Sequence, residues 1–591
     1  MVKTLIVERD VGARMRDGVI LRADVYRLNI EDPLPVLLQR TPYGKGFANP
    51  AFALMAAERG YAVVIQDTRG RWASDGDGYP FVHEMDDGYD TIGWIARQPW
   101  ADGQVGMFGG SYVGYTQWAA AVTQPPALKT IVPAITFCDP YDIFYSGGAL
   151  ALGVGVSWNL TSTAYMAIFK HKGSEERKME LTNQLVEAVD GMARGQTFSH
   201  LPLKDMPLIG QNGVTGFFCD ILSHPTHDAY WERTRCAHQK IKIPVFHIGG
   251  WYDIFARSTL RDLSGVRQEG GSELARQNQK LLIGPWRHGP LEGLVGEVDF
   301  GLRASSLLVL PDELQLRWFD HWLKGEDNGV TDEPPIRIFV MGDNRWRAEN
   351  EWPLARTRYT PYYLHSGGAA NSLRGDGTLS PENPADEPAD TYVYDPRNPV
   401  PTRGGGLCCS QAALAPGAYD QREIEGRPDV LVYTTPPLED DVEVTGPIEV
   451  HLWAATSASD ADFTAKLVDV SPCGYARNVQ DGIIRARSDE SPGSTTSAGQ
   501  PRPSTPGQAR EYVIDLAATS NVFKAGHRIR VEISSSNFPR FDRSPNTGGS
   551  PADALHPRSD TALHPATQWV LHDAGRPSHI VLPIIPSDVP R

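Results

Sequence analysis

The chain lacks any long apolar run. Its opening residues, "MVKTLIVERDVGARMRDG", meet charge after a very short hydrophobic stretch, so the h-region of a secretory peptide is missing. No later stretch approaches the roughly 20 apolar residues of a membrane span. These absences lead to an expectation of cytoplasmic residence and no membrane partner. Cysteine is also scarce: Cys138, Cys219, Cys236, Cys408, Cys409 and Cys473 fall at irregular spacing without paired CxxC motifs, and so neither demand a disulfide scaffold nor specify a metal. Positive charge is in deficit. A formal net charge of -16 gives no general attraction to phosphate backbones and argues against nucleic acid as a partner.

Metal and phosphate motifs are missing as well. "HEMDDGYD" and "LEDDVEV" are acidic, but neither has a calcium-loop pattern or the HExxH zinc arrangement. Asp86, Asp87 and Asp90 read instead as capping or hydrogen-bonding groups at a helix start. "QDTRGRWASDG" carries no phosphate-loop signature, and its Asp67 and Arg69 read as an ion pair that fixes the core. No cofactor and no metal is expected, and no internal repeat is visible.

What is present is an ordinary globular composition, 41% hydrophobic and 22% charged, with 46 prolines and 57 glycines that point to many turns. A chain of 591 residues exceeds one hydrophobic core and should divide into several domains. The texture changes along it. "LPVLLQR", "YAVVIQD", "QVGMFG" and "KTIVPAI" are short buried-strand runs separated by helix-capable segments, as a mostly parallel sheet requires. Residues 146–239 are rich in helix formers; "IPVFHIGG" and "QKLLIGPW" then restore the strand texture. "SLLVLPDELQLRWFDHWLKG" reads as an amphipathic helix stopped by Gly325. Beyond residue 355, runs such as "VEVTGPIEVHLWAA" and "DFTAKLVDV" read as short strands of an all-β sandwich. "SDESPGSTTSAGQPRPSTPGQ" reads as a polar loop within it. The division is 1–145 and 240–354 for the α/β core, 146–239 for an inserted helical cap, and 355–591 for the β domain.

"VGMFGGSYVGYTQWAAA" ends a buried strand in glycines and places Ser111 immediately before a helix. A nucleophile on a sharp strand-to-helix bend needs small neighbours to relieve crowding and a following helix whose amides face the developing oxyanion. The Tyr112 backbone N–H, next after the serine, is one such donor. The second glycine of GxSxG is absent, because position 113 is valine and Gly114 follows one place later. A serine needs a histidine base, and the histidine an orienting acid; in a serine-first α/β enzyme these follow in the order acid, histidine. Asp253 in "VFHIGGWYDIF" and His288 in "LLIGPWRHG" each close an apolar run in that order. Taken singly, Asp253 could cap a helix and His288 could be a buried polar group; together with Ser111 they read as a triad.

The combined motifs "RTPYGK", "QDTRGRWASDG", "GMFGGSYVGYTQW", "GGWYD", "GPWRHG" and "FVMGDNRWRAENEWP" resemble those of the cocaine esterase-like branch of the X-Pro dipeptidyl-peptidase-like serine hydrolases, which also includes α-amino-acid ester hydrolases and cephalosporin acylases. The resemblance covers nearly the whole chain. It implies an α/β-hydrolase core, an inserted helical cap and a C-terminal jelly roll. It also implies Ser111 as nucleophile, His288 as base, Asp253 as orienting acid, and a Tyr43 hydroxyl that joins the Tyr112 amide in the oxyanion hole. The GxSYxG form of the bend is that of the family. The resemblance further suggests a homodimer.

The expected activity is hydrolysis of a small carboxylic ester, with an aromatic acyl group such as cocaine carries as one form. Trp158, Phe217, Phe218, Trp231 and Trp251 are candidates for the pocket, each also explicable as core packing. An α-amino-acid ester hydrolase or β-lactam acylase is the alternative enzyme, in which Glu175, Glu176 and Asp190 would meet a substrate ammonium if folding brought them to the pocket. A catalytically inactive protein that binds small molecules or carbohydrate is the alternative of another class.

Overall fold

A computed structural model describes residues 4–47, 50–486, 505–548 and 563–586. Most of the polar loop at 488–508 lies outside the described residues. The first sheet has ten strands in the spatial order Leu5–Arg14, Ile20–Leu28, Ala62–Asp67, Leu34–Thr41, Ala101–Gly110, Leu128–Ala134, Val245–Tyr252, Gln279–Arg287, Ile336–Val340 and Arg345–Glu349. Its seven middle members from Ala62–Asp67 to Ile336–Val340 run parallel, with antiparallel partners at both edges. The central strands are buried on both faces; every residue of Ala62–Asp67 and of Val245–Tyr252 is enclosed, which explains their unbroken apolar runs. Helices Pro50–Glu58, Glu84–Ile95, Tyr112–Ala121, Ala256–Glu269 and Pro311–Lys324 form the connections and outer layers.

Between Leu128–Ala134 and Val245–Tyr252 the chain leaves the sheet for a helical insertion. Leu152–Trp158 runs through a π-turn at Asn159–Ala164 into Tyr165–Phe169. A new helix, Glu175–Ala193, starts where the Ser174 hydroxyl accepts from the Arg177 amide. The amphipathic segment near residue 310 is two helices rather than one: Leu310 has φ +51° and separates Ser306–Val309 from Pro311–Lys324. Pro311 is the cause, since a proline disfavours the helical conformation in the residue before it. Gly325, φ +71°, ends the second helix.

The acidic groups near residue 86 are held by arginines. Arg16 pairs with Asp86 and Asp90, and the Arg69 guanidinium takes both oxygens of Asp87 at 2.9 and 2.6 Å. The expected Asp67–Arg69 pair does not form. Asp67 instead accepts from the amides of Lys45 and Ala73 at 2.7 and 3.2 Å, so its oxygens are spent locally while Asp87 presents a bidentate partner to Arg69.

The C-terminal domain is all β. Val442–Thr456 pairs antiparallel with Arg510–Phe523, His579–Ile585 and Ala566–Leu571. Along this strand Ile448, Val450, Leu452 and Ala454 are fully buried, while Glu449, His451 and Trp453 between them are not; this is the period-2 alternation of a strand with one face on a core. A polar cluster is buried in the same domain. His572 Nε2 lies 2.9 Å from Asp390 Oδ2, its Nδ1 3.1 Å from Glu387, and the Tyr433 hydroxyl donates to Asp390 at 2.8 Å.

Burial opposes the charged form of His572, but the Asp390 hydrogen bond and the two carboxylate charges outweigh it and raise its pKa. Burial likewise opposes ionised Asp390, and His572, Ser366, Ala370 and Tyr433 outweigh it and lower its pKa. The histidine therefore contributes stability that is complete below its unfolded value of about 6.5 and is lost as pH rises through the folded value. The aspartate contributes above about 4 and loses its part as pH falls. The melting-temperature difference between wild type and His572→Gln is therefore expected to shrink from pH 6 to pH 9. The comparison isolates His572, because His527, held by Asp469, is raised with the same sign while His247 and His579 are lowered by burial and act in the opposite sense in both proteins. Calorimetry on both proteins across the range checks this; a difference that does not shrink assigns His572 no such role.

Candidate active site

Ser111 sits between the strand Ala101–Gly110 and the helix Tyr112–Ala121 with φ 60° and ψ -130°, a conformation that a non-glycine residue rarely adopts. Several bonds hold it there. Its amide donates to Ala134 O at 3.0 Å, and its carbonyl accepts from the Gly114 and Tyr115 amides and from the Thr136 hydroxyl at 2.6 Å. The altered glycine spacing has a steric explanation. A Cβ at Gly109, φ +122°, would stand 2.4 Å from Val113 Cγ1, and one at Gly114 would stand 2.6 Å from Thr136 Cβ. A branched residue fits at 113 because 109 has no side chain, and the close approach that needs a second glycine falls at 114.

Asp253 follows the strand Val245–Tyr252, and His288 follows Gln279–Arg287. The parallel sheet brings all three strand ends to one edge. His288 Nε2 is 3.1 Å from Ser111 Oγ, and Nδ1 is 2.9 Å from Asp253 Oδ2. The other Asp253 oxygen accepts from the Phe255 amide at 2.6 Å, which fixes the carboxylate, and the Phe255 ring stands edge-on to the imidazole at 5.2 Å. An acid on Nδ1 holds the proton there and leaves the Nε2 lone pair toward the serine.

Tyr43 lies in the loop after Leu34–Thr41. The residue is 39% exposed, yet its hydroxyl end is engaged, accepting from Trp158 Nε1 at 3.1 Å and interacting with Ser111. Burial raises the phenol pKa; the Trp158 and Ser111 contacts and the Arg71 charge oppose the rise without cancelling it. The group therefore stays a neutral donor. Tyr112 opens its helix, where the first amides have no intrahelical acceptor. Its side chain points away, donating to Glu84 at 2.9 Å and accepting from the Phe81 amide, so it is the backbone of Tyr112 that is available to the serine. Arg71, which only the motif "QDTRGRWASDG" brings into view, is 4% exposed. It donates to the carbonyls of Ser162 and Gly78. Burial lowers its pKa, countered by Tyr112, Tyr43 and Glu84, so a cation faces the two tyrosines.

A cavity of about 20 Å³ lies beside Ser111, walled by Phe81, Phe137, Phe144, Trp158 and Phe255 together with Cys408 and Cys409. Trp158 is the one pocket candidate that lines it. Phe217 packs against Trp158 and Phe144 from behind. Phe218 and Trp231 are buried in the cap, Trp231 donating to His224 O. Trp251 points into a separate core, where its indole donates to Phe339 O at 2.8 Å and stacks near Trp352. Glu175, Glu176 and Asp190 are exposed on the helix Glu175–Ala193. Among the described residues one group has metal-ligand proximity, Cys138, His238 and Asp262. These three bond to one another at 3.0 to 3.3 Å, and none of them lines the cavity beside Ser111. No described helix is long and apolar enough to cross a membrane.

Fold and site together define a serine hydrolase of the α/β-hydrolase class. Residues 17–290 match the family model described as X-Pro dipeptidyl-peptidase (S15 family), and residues 328–581 match the X-Pro dipeptidyl-peptidase C-terminal non-catalytic domain. The chain is 39% identical over 589 residues to the cocaine esterase of Rhodococcus sp. (strain MB1 Bresler), covering 98% of each. Two solved structures are similar over 98% of this chain and 97% of theirs at 26% identity: an aminopeptidase from a marine sediment Thaumarchaeota archaeon, TM-score 0.79, and an α-amino acid ester hydrolase, TM-score 0.78. The chain belongs to the X-Pro dipeptidyl-peptidase and cocaine esterase-like family of serine hydrolases, and its activity is of the serine-esterase type.

Proposed function

We propose that the chain hydrolyses small carboxylic esters through an acyl group carried on Ser111. The observation that carries this is the hydrogen-bonded relay from Asp253 through His288 to Ser111 at the wall of an apolar cavity. In the proposed sequence His288 Nε2 takes the Ser111 proton as Oγ attacks the ester carbonyl. The tetrahedral oxyanion accepts from the Tyr43 hydroxyl and the Tyr112 amide, where two donors meet charge that the ground-state carbonyl does not fully carry. The imidazolium, stabilised by Asp253, protonates the departing alcohol. Water activated by the same Nε2 then attacks the acyl-serine and releases the acid.

The aromatic walls favour an uncharged acyl group, and the likeness to a cocaine esterase supports an aromatic one. Among the described residues no carboxylate lines the cavity, so an α-ammonium would enter without a counter-charge from them, and this weighs against the α-amino-acid ester alternative. The proposal keeps the division at 1–145, 146–239, 240–354 and 355–591, and takes the protein as a cytoplasmic homodimer, which light scattering tests for assembly. A fluorophosphonate probe is expected to label Ser111, and a panel of aromatic, aliphatic and α-amino esters to show turnover of the uncharged ones. Folded protein that neither labels nor turns over any ester overturns the proposal; preference for α-amino esters overturns the acyl assignment.

A further inference from the structure

The wall of the Ser111 cavity contains a feature that the hydrolytic mechanism does not use. Cys408 and Cys409 are adjacent in sequence and joined by a disulfide. Both line the cavity, reaching it from the β domain on the strap between Asp390–Tyr394 and Arg422–Glu425. The strap enters through Gly404 and Gly405, both at positive φ, and is closed by paired bonds between Gly405 and Gly417. A Cβ at Gly153 in the cap would stand 3.0 Å from the strap's Leu414 Cδ1. Cys409 has φ +73°, a backbone conformation that an L side chain rarely holds on its own; the ring through the adjacent sulfurs constrains it.

Two cavities meet at this wall. The one beside Ser111 measures about 20 Å³, room for little more than a water molecule. A second, of about 70 Å³, lies behind the acid loop between Asp253, Arg257, Gly406 and Arg540. Ile143, Val154 and Cys408 line both. Of these three, Cys408 alone is held by a bond that small-molecule chemistry can open. An acyl group larger than acetyl overfills the space beside the serine, and the remaining walls there are mostly packed aromatic rings.

We propose that the Cys408–Cys409 pair is a thiol–disulfide gate on acyl selectivity: the oxidised pair confines the pocket to short acyl groups, and reduction joins the two cavities and admits bulky ones. The proposal rests on the Ser111 reading above, whose aromatic acyl group is then a substrate of the reduced enzyme. The chemistry is exchange with a low-molecular-weight dithiol. One thiolate attacks a cysteine sulfur and breaks the protein S–S bond. The reductant's second thiolate then closes its own disulfide, and two protons complete the Cys408 and Cys409 thiols. Two electrons pass from reductant to protein. Freed from the ring, Cys409 can leave its positive φ and the Cys408 side chain can rotate off the partition.

The test compares phenyl acetate with phenyl benzoate, which share a leaving group, on wild-type enzyme before and after dithiothreitol. Mass spectrometry of the alkylated 408–409 peptide establishes the redox state. Reduction is expected to raise the benzoate-to-acetate ratio of kcat/KM at least fivefold, and reoxidation to restore it. A ratio that is unchanged, or that falls, with the pair verified as reduced overturns the proposal. In the double variant Cys408→Ser, Cys409→Ser the ratio is expected not to respond to dithiothreitol, whatever its starting value. A response equal to wild type would place the effect at another cysteine and also overturn it. Fluorophosphonate labelling in both redox states separates the two failures: no labelling in either defeats the Ser111 reading, whereas labelling with an unresponsive ratio defeats only the gate.

Discussion

Replacing Ser111 with alanine is expected to lower kcat for an uncharged phenyl ester by on the order of 10⁶-fold, the size found where the serine of such a unit is removed. The reason is the form of the unit. Ser111 Oγ is the atom to which the acyl group is bonded in the proposed sequence, and His288 Nε2, 3.1 Å away, has it as its hydrogen-bond partner among the described residues. What survives is the hydrolysis that the oxyanion donors and binding can promote with water alone. The variant should fold. Alanine is as small as serine, and the bonds that hold the bend use the Ser111 backbone. Fluorophosphonate labelling should vanish with the turnover, while circular dichroism and the melting temperature stay close to wild type. Adding His288→Ala to Ser111→Ala should cost little more, because residues that act as a unit are not additive. A Ser111→Ala enzyme within tenfold of wild type would remove the serine from the chemistry.

The parts of this site that could be read from the sequence are those in which local pattern and function coincide. Ser111, Asp253 and His288 each terminate an apolar run, and a parallel sheet gathers strand ends at one edge, so three local signals become one geometric statement. The aromatic walls could not be read in this way. An aromatic residue announces burial without saying against which surface; Trp251, two residues from Asp253, turns into the core around Phe339 and Trp352, while Trp158 reaches the cavity. Asp67 and Arg69 show the same limit in miniature, since neighbours in a turn compete with amides and with Asp87, which is distant in sequence but near in space. Cys408 and Cys409 had no signal beyond being a doublet, because their place beside Ser111 depends on how a strap of the β domain meets the cap. The β strands themselves were plain in the alternation of Val442–Thr456, whereas their pairing order is a long-range property that no window of sequence holds.

Replacing Tyr43 with phenylalanine is expected to lower kcat by about 10²–10³-fold, the cost of one oxyanion donor, with KM little changed. The direction of the phenolic proton makes the difference specific. An indole N–H can only donate, so the Trp158 contact at 3.1 Å occupies a lone pair of the Tyr43 oxygen and leaves its single proton for the serine side of the cavity. Burial keeps that proton in place by raising the phenol pKa, so kcat should show no alkaline limb from Tyr43 below about pH 10. Arg71 faces the same hydroxyl as an enclosed cation and supplies positive potential where the proposed oxyanion would form. Phenylalanine keeps the ring and its packing and removes only the donor, so substrate binding should persist while transition-state stabilisation falls. Trp158→Phe acts through Tyr43 and also alters the pocket wall; its effect on kcat should be smaller, and most of that part should disappear when Tyr43 is already phenylalanine. Steady-state kinetics on the two single variants and the double variant test the arrangement. Additive losses in kcat would show that Trp158 does not orient Tyr43, and a folded Tyr43→Phe enzyme with unchanged kcat would remove the hydroxyl from the oxyanion hole.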